Sequence, residues 1–125
     1  MKRIIRTTDA PPALGPYSQA VEKRGTLYVS GQIGMDPFSR KLVEGGIREQ
    51  TTQVFKNIEA ILKTAGYSFS DVVKSTCFLN DISDFAAMNE IYGRYYTEDQ
   101  PARSAFAVKE LPAGALVEIE TIAVK

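Results

Sequence analysis

Residues 48–65 have the sequence REQTTQVFKNIEAILKTA, which is the clearest secondary-structure signal in the chain. Their apolar residues recur every three or four positions and form one stripe along a helix of 3.6 residues per turn. Gly66 follows where a left-handed residue commonly ends a helix. The pattern therefore predicts an amphipathic helix that packs its apolar side against the rest of the protein. The stripe consists of Val54, Phe55, Ile58, Ile61, Leu62 and Ala65.

Runs of β-forming residues precede and follow this helix. The order of the elements, with one long helix in each half of the chain, predicts an α+β domain. Its mixed β-sheet would have two helices packed on one face. The runs predict strands at residues 2–7, 26–33, 72–79, 104–108 and 117–124, and they allow a short strand at 42–43.

The second helix is predicted between the strands at 72–79 and 104–108, where Asp81 or Ser83 can provide the cap. Tyrosines in this segment are interpreted as core or interface residues rather than as a platform for a stacked ligand. The residues that indicate the helix, spaced three, four and three apart, are Phe85, Met88, Tyr92 and Tyr95.

The last predicted strand indicates which face of the sheet is packed and which is open. Apolar and acidic residues alternate over residues 117–122, so one sheet face would pack on the helices. The other face would carry Glu118 and Glu120. An open sheet face in so small a domain favours association with further copies of the chain.

Length and composition limit the classes of protein to consider. The chain has 125 residues, which predicts a single domain over residues 1–125. Fifteen basic residues balance fifteen acidic ones, so no overall positive field favours nucleic acid as a partner. The first residues lack a long apolar segment, and no run approaches the length of a membrane span. We therefore expect neither a signal peptide nor a membrane anchor.

Histidine is absent from the chain, and Cys77 is the only cysteine. These facts exclude, within one chain, nucleophilic systems that need histidine, imidazole zinc sites and thiolate clusters, so we expect no metal. Acid–base chemistry would fall to Asp, Glu, Lys, Tyr or bound water. Cys77 is interpreted as a small buried hydrophobic residue, and a cytoplasmic location is expected.

Four short stretches carry candidate site residues, and the residues alone leave each of them ambiguous. Tyr17 follows a rigid Gly-Pro pair and either projects its hydroxyl into a site or belongs to a plain turn. Gly31 marks a bulge or the close approach of a ligand, or else a packing contact. Arg103 either binds a carboxylate or phosphate or pairs with a surface acid. Glu118 and Glu120 either provide a general base or belong to a solvated face.

Taken together, these stretches resemble the Rid family, the reactive-intermediate imine/enamine deaminases once labelled translation inhibitors or endoribonucleases. The resemblance covers nearly the whole chain, in order, and it is similar to the archetypal 2-iminobutanoate/2-iminopropanoate deaminase subfamily. The motifs that carry it are 15–20 (GPYSQA), 29–33 (VSGQI), 101–104 (PARS), 111–112 (LP) and 117–120 (VEIE).

The resemblance implies a fold similar to chorismate mutase, assembled as a homotrimer with three clefts between subunits. It implies hydrolysis of 2-iminobutanoate and 2-iminopropanoate to 2-oxo acids and ammonia, without a metal or organic cofactor. Such imines are released by pyridoxal-phosphate enzymes such as threonine dehydratase.

The resemblance also implies roles for individual residues. Arg103 matches the arginine that binds the substrate carboxylate, and Glu118 matches the residue that holds and activates the attacking water. Ala105 stands where many relatives have a cysteine. Because the family uses that position mainly through its main-chain amide, hydrolysis is expected to survive and thiol redox behaviour is not. The loop at 97–100 looks shorter than in some relatives. Substrate-binding positions are matched by Tyr17 (supplied across the interface), Ser30, Gly31, Asn89 and Ala105.

Two other functions fit parts of this pattern. A module that binds small carboxylates without turnover would need Arg103 but no second carboxylate nearby, so Glu118 favours an enzyme. An endoribonuclease is disfavoured by the zero net charge, the absence of histidine and the lack of a basic stripe.

Overall fold

In the computed structural model, which describes residues 1–125, six strands form one sheet in the order β1-β2-β3-β6-β4-β5. Neighbouring strands are antiparallel except β4 and β5, which are parallel, so the sheet is mixed as predicted. The strands are β1 Arg3–Ile5, β2 Ala20–Lys23, β3 Thr26–Ile33, β4 Val72–Leu79, β5 Ala102–Ala107 and β6 Val117–Val124, and the helices are α1 Ile47–Ala65 and α2 Phe85–Tyr95.

Helix α1 confirms the strongest prediction from the sequence. All six residues of the apolar stripe are buried. At the helix start, the Glu49 carboxylate accepts a hydrogen bond from the Gly46 backbone N–H at 2.7 Å, which satisfies a donor that has no partner within the helix. At its end Gly66 is left-handed, with φ of 85°, and its N–H reaches the carbonyls of Leu62 and Lys63. The capping residues thus fix the ends of the helix, and the apolar stripe fixes its packed side.

Both helices pack on one face of the sheet, which confirms the predicted α+β arrangement. Helix α1 lies against β3 and β6 and also against α2. Phe55 of α1 stacks on Tyr95 of α2, with ring centroids 4.4 Å apart. Tyr92 and Tyr96 join the same buried cluster, so the interpretation of these tyrosines as core residues is confirmed. The capping prediction is met by Asp81, whose side chain accepts from the Ser83 N–H and caps the 3₁₀ turn before α2.

The structure contains one strand that the sequence did not predict. β2 forms a hairpin with β3 through Arg24 and Gly25, whose φ angles are 52° and 80°. A two-residue hairpin turn needs positive φ angles at both central residues. Because arginine rarely adopts a positive φ, the sequence did not indicate this turn. Conversely, residues 42–43 do not form a strand: only an isolated bridge joins Leu42 to Met35.

Candidate active site

Glu118 lies on the sheet face that the helices leave open, between Ile33 of β3 and Phe78 of β4. The burial of β6 alternates as predicted: Val117 and Ile119 are buried, whereas Glu118 is partly buried and Glu120 is exposed. Strand alternation thus places both carboxylates on the open face. Of the two, only Glu118 is partly withdrawn from water.

Gly31 makes room for the carboxylate of Glu118. Between Val29 and Gln32 the pairing of β3 with β6 is interrupted, so Ser30 and Gly31 together lie opposite a single residue. A Cβ atom on Gly31 would lie 2.7 Å from Oε2 of Glu118, which is closer than atoms can pack. Of the alternatives that the sequence left open for Gly31, the structure shows a bulge together with a close packing contact. The group that approaches the glycine is a side chain of the same protein.

The carboxylate of Glu118 has no hydrogen-bond or ion-pair partner within the chain. Burial raises the pKa of Glu118, and the nearby charge of Glu120 raises it further. A carboxylate whose ionised form is destabilised in this way accepts a proton more readily. With both oxygens free, Glu118 is equipped to orient a water molecule and take a proton from it.

The loop before β2 carries Tyr17, which lines the same cavity as this carboxylate. Ser30 Oγ donates to the Ser18 carbonyl at 2.6 Å, and the Ser30 N–H donates to the Gln19 carbonyl at 2.9 Å. These bonds tie the loop to the bulge of β3. The Tyr17 hydroxyl accepts from the Leu14 N–H at 3.3 Å, and its side chain remains exposed. Ser30 therefore acts within the chain to fix the loop that carries Tyr17.

A cavity of about 440 Å³ joins these residues. Part of its wall is apolar, formed by side chains such as Leu14, Ile33 and Met35. We call the residues that converge on it the glutamate half-site: Tyr17, Gly31, Ile33 and Glu118.

Arg103 lies on β5, at the edge of the sheet, and faces the helices. Its Nη1 donates to Oδ1 of Asn89 at 2.6 Å. Its guanidinium carbon lies 4.7 Å from the ring centroid of Tyr92 and 5.4 Å from that of Phe85. No carboxylate pairs with it, so the alternative of a surface arginine bound to a neighbouring acid is not what the structure shows. We call Phe85, Asn89, Tyr92 and Arg103 the arginine half-site.

The two half-sites lie on opposite faces of the sheet. Arg103 belongs to a cross-strand row with Ser75 and Thr121, which are buried beneath the helices. Glu118 belongs to a row with Phe78 and Phe106 on the open face. One chain therefore does not bring Arg103 and Glu118 together, and each half-site lacks the charge that the other supplies.

Ala105 lies on the same side of β5 as Arg103, opposite Cys77 of β4, and packs partly against the core. Cys77 is fully buried, and burial raises the pKa of its thiol to about 11, which confirms its interpretation as a small hydrophobic residue.

Two buried amides that support the glutamate half-site were not singled out from the sequence. Gln19 accepts from the Thr7 N–H and donates to carbonyls of the same loop, the shortest of these bonds being 2.8 Å to Pro11. Asn57 donates to the carbonyls of Ile33 and Met35 at 3.2 and 3.0 Å. The signal for Asn57 was available, since a polar residue lies within the apolar stripe of α1.

The arginine half-site also contains residues that sequence reasoning missed. Phe85 and Tyr92 were assigned to the packed side of the second helix, whereas both rings also face the guanidinium of Arg103. Their spacing with Asn89, at i, i+4 and i+7, was the signal for a common helix face.

No helix of the chain is long and apolar enough to cross a membrane, and no three acidic or cysteine side chains cluster as metal ligands would.

Comparison with known proteins agrees with this geometry. The family profile described as Endoribonuclease L-PSP matches residues 7–125. A RutC family protein of Pyrococcus horikoshii is 50% identical over 125 residues, covering 100% of this chain and 99% of the relative. The chain belongs to the Rid family. A human Rid-family relative, named 2-iminobutanoate/2-iminopropanoate deaminase, is 51% identical over 125 residues and covers 100% and 91% of the two chains.

Solved structures of Rid-family proteins share the whole fold. RidA from an Antarctic Psychrobacter matches with a TM-score of 0.95 and 48% identity, covering 98% of this chain and 99% of that one. E. coli TdcF with bound serine matches with a TM-score of 0.94 and 37% identity, covering 98% of each chain. The Rid family's six-stranded α+β fold is therefore the fold of this chain.

Proposed function

We propose that the protein hydrolyses 2-iminobutanoate and 2-iminopropanoate to the corresponding 2-oxo acids and ammonia. The observation that carries this proposal is the carboxylate of Glu118, which has a raised pKa and no partner, in a cavity shared with Tyr17. A module that only binds carboxylates would gain nothing from an unpaired negative charge there. The names of relatives about half identical to this chain support the same reaction.

The proposal includes a homotrimer in which the clefts join the two half-sites. Each half-site is incomplete within one chain, so an arginine half-site of one copy would face the glutamate half-site of the next. Apolar side chains on the open sheet face support an assembly, because they are exposed in the single chain. They include Tyr28, Phe106, Val124 and Ile4, with exposed fractions of 52%, 45%, 43% and 38%.

In the proposed mechanism, Arg103 binds the carboxylate of the imino acid. Asn89 already engages Nη1, which leaves the other guanidinium N–H groups to form charge-assisted hydrogen bonds. Glu118 takes a proton from water as the water oxygen bonds to the imine carbon. Protonated Glu118 then delivers this proton toward the nitrogen of the tetrahedral adduct. Glu118 next carries the proton of the adduct's hydroxyl group to the amino nitrogen, so the C–N bond breaks as the C=O bond forms, and ammonia and the 2-oxo acid leave.

This reaction suits a chain that has no histidine. A C=N bond next to a carboxylate is already electrophilic, so a held substrate, a positioned water and one base are sufficient. The apolar wall formed by Leu14, Ile33 and Met35 offers space for a short alkyl side chain. We further propose a cytoplasmic location, which is compatible with a single free, buried cysteine.

A coupled assay tests the proposed function. Threonine dehydratase acting on threonine generates 2-iminobutanoate, and release of 2-oxobutanoate and ammonia is followed with and without this protein. We expect the protein to accelerate both products in equal amounts. Tight binding of 2-oxobutanoate without acceleration would instead favour the carboxylate-binding module, and cleavage of RNA with no effect on the imine would favour the endoribonuclease.

A further inference from the structure

Three side chains on one face of α2 contact the guanidinium of Arg103. Phe85, Asn89 and Tyr92 follow one another at i, i+4 and i+7, which places them in a line along the helix. Asn89 fixes one edge of the guanidinium through a hydrogen bond of 2.6 Å, and the ring of Tyr92 lies 4.7 Å from the guanidinium carbon. None of these contacts neutralises the positive charge.

We infer that Tyr92 is the positioning residue for Arg103: its ring holds the guanidinium ready for a carboxylate ligand. This inference rests on the proposed function, in which Arg103 binds the substrate carboxylate. An arginine on an edge strand would otherwise move among many rotamers, and a ligand would have to order it on binding. An aromatic face restrains the cation while leaving its N–H groups free, which an acidic partner would not do.

The other end of Tyr92 is buried in the protein interior. Its hydroxyl is buried, as are the hydroxyls of Tyr96, Ser75 and Thr121. Ser75 lies beside both tyrosine hydroxyls, although none of them is in hydrogen-bonding geometry with another. The ring centroids of Tyr92 and Tyr96 lie 4.8 Å apart. The ring of Tyr92 therefore packs between the core and Arg103. Because burial and ring packing restrict the movement of Tyr92, its ring can restrict the position of the guanidinium that lies on it.

The experiment separates the ring of Tyr92 from its hydroxyl. Tyr92→Phe keeps the ring and is expected to bind 2-oxobutanoate with a Kd close to that of the wild type. Tyr92→Leu removes the ring and should raise both Kd and KM about tenfold, while kcat changes by less than about threefold. Tyr95→Leu removes a ring of the same helix that packs on Phe55 and not on Arg103, so it should lower Tm without changing Kd.

A second set of variants keeps the test decisive if Tyr92→Leu does not fold. Fluorinated phenylalanines at position 92 preserve the ring shape while weakening its negative face, so Kd should rise stepwise with the number of fluorines. The inference is wrong if the wild type binds 2-oxobutanoate and folded Tyr92→Leu binds equally well, or if the fluorinated series shows no trend. Failure of the wild type itself to bind or turn over would instead overturn the proposed function.

Discussion

The two half-sites are built by different means. The glutamate half-site depends on the main chain: a strand bulge, a glycine without a side chain and a loop tied down by backbone bonds. The arginine half-site depends on side chains presented by one face of α2. Yet neither Glu118 nor Arg103 has a counterion within the chain. A carboxylate without a nearby positive charge has a higher proton affinity, which suits a base. A guanidinium that is positioned by uncharged side chains keeps its charge available and binds an anion more tightly.

The largest expected effect comes from removing Glu118, the proposed base of the glutamate half-site. Glu118→Gln keeps the shape of the side chain and should slow hydrolysis by about 100- to 10,000-fold, because the attacking water loses its proton acceptor. Binding of 2-oxobutanoate, measured by calorimetry, should change little. Glu120→Gln is the matched control on the same strand and should retain nearly the full rate. A fast Glu118→Gln enzyme, or a folded but inactive Glu120→Gln enzyme, would show that the wrong carboxylate has been assigned.

Changes in the arginine half-site are expected to be somewhat milder. Arg103→Ala removes the proposed hydrogen-bonding partner of the substrate carboxylate and should reduce kcat/KM by roughly 30- to 1,000-fold while the fold stays intact. Arg103→Lys retains the charge but loses the planar fork, so it should recover only part of the rate. Steady-state kinetics with circular dichroism as a folding control measure both effects. A wild-type rate in Arg103→Ala would place carboxylate binding elsewhere.

Mixing the two defective chains tests whether the half-sites meet between copies. In a mixed trimer of Glu118→Gln and Arg103→Ala chains, a cleft can combine the intact glutamate of one chain with the intact arginine of another. Random assembly should restore about a quarter of the wild-type activity after co-refolding, although each variant alone is nearly inactive. If activity stays at the level of the separate variants, or light scattering shows a monomer, the shared cleft is wrong.

A smaller effect is expected from filling the space behind Glu118. Gly31→Ala introduces a Cβ atom 2.7 Å from Oε2, so the carboxylate must move and the rate should fall about tenfold. At Gly46 a Cβ would come no nearer than 3.9 Å to any atom outside its immediate chain neighbours. Gly46→Ala is therefore the control, and its rate should match that of the wild type. Equal rates in both variants would mean that the position of Glu118 is not critical.

The smallest effect is a shift in the pH profile. Because Glu118 must be ionised to accept a proton, kcat/KM should fall as the pH drops through its raised pKa. If Arg103 of a neighbouring copy faces Glu118, its positive charge lowers that pKa. Arg103→Ala should then move the inflection upward by about one pH unit, and Arg103→Lys should leave it in place. An inflection common to all three proteins would indicate that the half-sites do not face each other.

The sequence predicted local features well and spatial relations less well. The stripe from Val54 to Ala65 fixes α1 because its period is set by neighbouring residues, and the alternation around Glu118 fixes which face that carboxylate uses. The opposite placement of Arg103 depends on how β5 pairs with β4, a contact between distant segments that no local pattern encodes. The hairpin at Arg24 was missed for a different reason, since the turn uses a residue that normally avoids its conformation.

Gln19 holds the main chain of the loop that carries Tyr17, which makes the loop tolerant of changes in its exposed side chains. Every hydrogen bond of its side chain goes to a main-chain atom, on Thr7, Ala10 or Pro11. These bonds hold the loop by its main chain, so its path does not require the exposed side chain of Leu14. Substitutions there can remodel the cavity wall around Leu14 while the chain keeps its course, so the range of accepted substrates can evolve with little cost to folding.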